Sequence, residues 1–224
     1  MDIKQLKILL TGLILMVFSM STQAQKTLEL GLFGGGSYYL GEMNPAIPFV
    51  NTQLAFGALA RLNLNDRTSL KLSYSRGGIK GNDEQPLRLV PQDYSFSSVV
   101  NDISFVGEFN WWDYFTGSKK SYFTPYLFAG LSYYFSDLAS GMAIPFGFGF
   151  KYSISERFGL GFEWGMRKTF SDYVDGVNTT EYQNGLDTGD SDKTSTWDWY
   201  NFTGLTLTYK FNLINKRKCN NLGF

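Results

Sequence analysis

The chain has 224 residues, with 20 basic and 20 acidic side chains, one cysteine and no histidine. A neutral balance demotes nucleic-acid binding, which needs a basic excess. The lack of histidine disfavours the proteolytic and lipolytic chemistries that use it as a base. An aromatic content of 17% beside 24 glycines and only 6 prolines is unusual for a soluble domain and suits a narrow membrane barrel.

The chain opens as a secretory leader. Lys4 and Lys7 form a positive start, Ile8 to Met20 an apolar run, and Thr22-Gln23-Ala24 a small-residue cleavage site. Residues 1–24 are therefore expected to be a signal peptide and 25–211 a barrel, with 212–224 as a basic tail. Removing Asp2, Lys4 and Lys7 with the leader leaves 18 basic and 19 acidic residues. No cysteine stands at the cleavage point to take an acyl group.

Beyond Gln25 the recurring signal is alternation with a period of two, which places alternate side chains on opposite faces of a strand. Strands are expected near 27–39, 52–63, 68–79, 97–110, 122–135, 141–153, 158–171 and 198–211. Each reaches the 9–11 or so residues needed to cross a bilayer at a tilt. In FGLGFEWGMR, Phe158, Leu160, Phe162, Trp164 and Met166 share one face, opposite Gly159, Gly161, Glu163, Gly165 and Arg167. MAIPFGFGFKYSI does the same, with Ile144, Phe146, Phe148, Phe150 and Tyr152 opposite small residues and Lys151. A bulky face opposite a small, sparsely charged one is the inverse of a soluble sandwich; it fits lipid outside and a tight interior. In 27–39 and 122–135 bulky residues occur on both faces, so alternation does not assign theirs.

The reading is an all-β, eight-stranded antiparallel outer-membrane β-barrel. Its connections alternate between short turns (64–67, 113–121, 155–157) and longer, polar stretches (41–51, 80–96, 172–197), with 136–140 a short exception. An even strand number puts both termini at the short-turn end, expected to be periplasmic. Trp111, Trp112, Tyr114 and Phe115, and Trp197, Trp199 and Tyr200, are expected to form interfacial girdles. The last strand, GLTLTYKF, looks like the C-terminal signal that barrel-assembly machinery reads.

Among charged residues, Arg61, Lys71, Glu108, Lys151, Glu163, Arg167 and Lys210 fall on inward faces. They are expected to form an internal ion-pair network, since an eight-stranded barrel is about filled by its side chains and buried charge must be paired. No metal loop matches: Asp172 to Asp192 holds five aspartates and one glutamate without calcium-loop spacing, and reads as a solvated acidic loop. One cysteine without histidine makes no ordinary zinc site. Gly34-Gly35-Gly36 lies inside a strand, where crowding or a bulge explains it better than phosphate binding. No catalytic residue, metal or cofactor is expected.

The segments GLFGGGSYYLGEMNP, LAFGALARLNLNDR and DWYNFTGLTLTYKF, with the cysteine-bearing basic tail after them, resemble the PorG-type outer-membrane proteins of Bacteroidetes type IX secretion. The resemblance implies a barrel without enzymatic activity. It would anchor the periplasmic ring, built from a lipoprotein and a soluble partner, to the outer membrane of a machine serving secretion and, in gliding species, adhesin export. It implies that Lys216, Arg217 and Lys218 belong to a ring-facing tail and makes Cys219 the candidate for an intermolecular disulfide to the ring lipoprotein. Two other readings stay open: a small OmpW-type pore, for which rows of inward glycine could leave room, and a structural barrel with surface-binding loops.

Overall fold

A computed structural model describes residues 27–40, 49, 51–81, 96–137, 139–170 and 199–212. The leader, most of the longer loops, the acidic Asp172–Asp192 segment, Trp197 and the tail with Lys216, Arg217, Lys218 and Cys219 lie outside the described residues.

Eight strands follow in chain order: β1 (Thr27–Leu40), β2 (Gln53–Asn63), β3 (Thr68–Gly81), β4 (Phe96–Asn110), β5 (Phe123–Phe135), β6 (Ser140–Ser153), β7 (Phe158–Thr169) and β8 (Trp199–Asn212). Each pairs antiparallel with its neighbours in sequence, and β8 returns to β1, so the sheet closes into a barrel. The closing seam is in continuous register from Thr27 opposite Asn212 to Leu40 opposite Trp199. Closure leaves no row of unpaired backbone groups, the condition for a β-structure to sit in hydrocarbon. Every strand expected from alternation is present, with ends shifted by two residues at most.

The polarity is inverted, as expected. Leu54 is 88% exposed on the outer wall, where it joins Leu32, Phe56, Leu72, Phe105, Leu131, Phe148 and Leu207 in an apolar belt. Glu108 is 1% exposed, inside. Water would penalise such a belt by roughly 25 cal/mol per Å² of apolar surface. Lipid removes that penalty, and with it the need for an apolar core. The barrel is of the outer-membrane type.

The two strands with ambiguous alternation are resolved by size. Phe33 and Tyr39 of β1, and Tyr126, Phe128 and Tyr134 of β5, point inward and fill the interior, while Leu30, Leu32, Leu127 and Leu131 face out. Rings on both faces of β5 thus have a cause: Tyr126 and Phe128 lean over the inward glycines of β6 and β7 and fill what those glycines leave. Three expected girdle members are corrected on the same ground. Tyr200 is fully buried in the interior, and from the β4–β5 turn Tyr114 turns inward and the Phe115 ring sits beside the inward Lys210, rather than out at an interface. Trp111 and Trp112 remain on the outer surface at the short-turn end.

Candidate functional site: a charged and occluded interior

The inward side chains stack in layers along the barrel. Nearest the short turns is a network centred on Glu108 of β4. Its carboxylate takes Arg61 Nε at 2.8 Å and Nη2 at 3.3 Å, Lys151 Nζ at 2.6 Å, and Lys71 Nζ at 3.4 Å. Arg61 also donates to Glu29 on β1 at 3.0 Å, and Lys71 bridges on to Glu163 on β7. Neutral donors complete the shell: Thr116 and Asn63 on Glu29 at 2.6 and 2.9 Å, and Tyr126 on Glu163 at 2.9 Å. Lys71 lies 4.7 Å from the Phe128 ring centre and Lys151 4.5 Å from that of Tyr126, so each ammonium has a π face besides its carboxylate.

Five of the expected interior charges (Arg61, Lys71, Glu108, Lys151 and Glu163) thus meet in one place, although they come from five different strands. The other two are placed differently. Arg167 stands in the next layer, 3.9 Å from Asp102, donating to the Gly165 carbonyl at 2.7 Å with its guanidinium 4.7 Å from the Phe202 ring centre. Lys210 lies at the short-turn end, donating to the Thr116 carbonyl with the Phe115 ring centre 4.3 Å away. Among the described residues no carboxylate stands within ion-pair distance of it, so for Lys210 a carbonyl and a ring take the place of the expected pair.

Glu29 and Asp102 were missed. Asp102 shares the inward parity of Glu108 and was findable by counting back in twos. Its carboxylate accepts from Tyr200 at 2.7 Å and from Ser104. Glu29 lies in β1, where alternation left the faces open.

Beyond the Asp102 layer, toward the longer loops, Tyr39, Ile79, Val100, Tyr134, Ala143, Tyr200 and Phe202 pack into an apolar plug. At the other end Tyr114, Phe115 and Thr116 close over the network. Burial, reinforced by nearby Glu29, pushes the Tyr114 hydroxyl up to about 12, so it stays neutral in its seat. Between network and plug, the cavity lined by Lys71, Ser75, Glu163, Arg167 and Phe202 holds only about 10 Å³, the size that admits a single water. Inward glycines do not open a lumen. A Cβ on Gly149 would strike the Tyr126 ring, and one on Gly165 would meet Arg167 and Phe128 at under 3.0 Å. Their bareness is already used by neighbouring side chains. Purified barrel in planar bilayers should therefore show no steady single-channel conductance; regular ion-selective openings would contradict the packed interior.

Chemically the arrangement supports charge compensation. Every described interior carboxylate is held by cations or hydroxyls, and no three carboxylates or cysteines among the described residues cluster in a way that could hold a metal ion.

A family model described as "Domain of unknown function (DUF6089)" matches residues 7–220. Among solved structures, Neisserial surface protein A is similar with a TM-score of 0.51 at 11% identity, over 84% of this chain and 98% of that one. The attachment invasion locus protein Ail of Yersinia pestis is 11% identical over 84% of this chain and 99% of its own, with a TM-score of 0.48. The N-terminal β-barrel domain of Pseudomonas aeruginosa OprF is 17% identical over 84% and 100%, with a TM-score of 0.45. No curated protein sequence matches the chain. At these identities, the likeness to Neisserial surface protein A concerns the fold.

Proposed function

We propose a role for this barrel that starts from its family: the chain belongs to the family described as Domain of unknown function (DUF6089). The protein is a non-enzymatic component of the outer membrane, with both termini in the periplasm. It serves the type IX secretion machine by anchoring the periplasmic lipoprotein-containing ring. The observation that carries this reading is the filled interior. A barrel whose described interior leaves no room for a permeating solute has its ends and outer wall left as working surfaces. Both described strand termini, Thr27 and Asn212, emerge at the short-turn end side by side, where a tail such as 212–224 would meet a periplasmic partner. The likeness of its opening and closing segments to PorG-type proteins is what supports reading that partner as the ring.

The test uses membranes from cells carrying the native chain or Cys219→Ser. The native protein should run partly as a higher-mass, reductant-sensitive band containing the ring lipoprotein, and the variant should lose it. Mild cross-linking should still recover the ring with the variant if the basic tail adds a non-covalent contact. Absence of the ring lipoprotein from both experiments would overturn the anchoring role.

A further inference from the structure

The outward-facing strand residues carry an uneven distribution of charge. Among the described residues on that face, the charged ones are Arg76 and Lys80 on β3 and Lys168 on β7. All are cations, and all lie at the end bearing the longer loops. Along β3 the outward face reads Leu70, Leu72, Tyr74, Arg76, Gly78, Lys80: apolar, then a phenol, then two positive charges. Along β7 it reads Phe158, Leu160, Phe162, Trp164, Met166, Lys168, and Lys168 pairs across the strands with Trp199, its ammonium 5.2 Å from that ring centre. The short-turn end is different. There the charges sit in turns and have both signs, as with Arg67 beside Asp113 at 2.6 Å.

The sequence of apolar, aromatic and cationic steps on one strand face follows the profile of a lipid leaflet from acyl chain through carbonyl region to headgroup. Arg76 is also set in place: Asn101 accepts from its Nη1 at 3.0 Å and from the Tyr74 hydroxyl at 2.9 Å. That orders one edge of the guanidinium and suits it to planar, bidentate recognition of an oxyanion.

We propose that Arg76, Lys80 and Lys168 form a cationic collar that binds the phosphates of anionic lipid headgroups in the leaflet at the longer-loop end. Opposite charge, depth and the continuous apolar wall below select a lipid as the occupant. A soluble anion would gain nothing from the Leu72 and Tyr74 steps. The inference rests on the membrane placement proposed above and adds a lipid preference and a polarity to it.

The full chain is reconstituted into nanodiscs of equal phosphatidylglycerol and phosphatidylcholine, and the lipids retained on the released barrel are counted by native mass spectrometry. The native chain should retain phosphatidylglycerol preferentially. Arg76→Gln with Lys80→Gln should cut that preference by about fivefold per charge removed, while Arg76→Lys with Lys80→Arg, which keeps the charge, should hold most of it. Lys119→Gln with Lys120→Gln, at the opposite end, should leave it unchanged. Equal retention of both lipids by the native chain, or an undiminished preference in the glutamine pair, would overturn the collar; the latter is expected if these cations serve carboxylates of the flanking loops instead. A barrel that fails to enter the discs refutes the membrane placement and the collar with it. One that enters without preference refutes the collar alone.

Discussion

Glu108→Ala should destabilise the barrel by about 3–5 kcal/mol, the loss expected when one member of a buried ionic cluster is removed and its partners are left unpaired. Glu108 is the shared acceptor of Arg61, Lys71 and Lys151, all nearly inaccessible to solvent. After truncation Arg61 keeps Glu29 and Lys71 keeps Glu163, but Lys151 retains only the Asn110 side-chain oxygen Oδ1 at 2.9 Å and the Tyr126 face. Urea unfolding followed by the fluorescence of the 5 tryptophans provides the measurement. Arg67→Ala is the comparison. Its pair with Asp113 is just as short, but the two side chains are 55% and 59% exposed, so the loss should stay within about 1 kcal/mol. If Glu108→Ala were equally mild, the cluster would not be what holds the interior together. Replacing all its members by well-fitting apolar groups is a separate case and could be neutral.

Gly204→Val should have a comparable effect, through geometry alone. Gly204 faces Gly35 across the closing seam. A Cβ there would strike the Gly34 carbonyl oxygen and the Gly35 Cα, and one on Gly35 would strike Thr203 and Gly204. These obstacles are backbone atoms, so no change of rotamer relieves them, and β1 and β8 must separate. Overpacking in a rigid interior costs about 1–3 kcal/mol and sometimes more; at the one junction that completes the sheet, the upper end or beyond is expected. Gly34→Val is the control, because its Cβ would meet nothing within 4 Å and its side chain would face outward. On gels without boiling, the first variant should lose most of the compact, faster-migrating form and the second should keep it. Equal folding of both would show that the seam can widen freely.

The strands were legible because lipid on one side and a narrow interior on the other impose opposite demands on successive residues. Strands β6 and β7 state that rule most openly, and Lys151, Glu163 and Arg167 could be placed by parity. Parity says nothing, however, about how far a side chain reaches or which neighbour is left for it. Lys210 lies on the inward face as expected, yet its partner is a carbonyl from the β4–β5 turn, a contact across 94 positions of sequence. Tyr114, Phe115 and Tyr200 looked like girdle residues because aromatics near strand ends usually are. Here the same ring size was needed to stopper the barrel, and nothing local distinguishes the two uses. Glu29 was hidden for a related reason: in β1 the aromatics that fill the interior blur the alternation that would have exposed it. The tail and the acidic loop, from which the sequence draws its most specific expectations, lie outside the described residues.

The β1–β8 seam also bears on time. It joins Thr27 to Asn212, so its hydrogen bonds cannot begin to form until almost the whole chain has been synthesised and exported. Contacts this distant in sequence carry a large loop-closure cost and make folding slow. Until they form, β1 and β8 each present an open edge. The chain therefore has an obligatory period before closure in which its open edges are prone to pair with neighbouring chains. After closure, removing any strand requires breaking two ladders at once. The same junction that delays maturation should make the finished molecule long-lived.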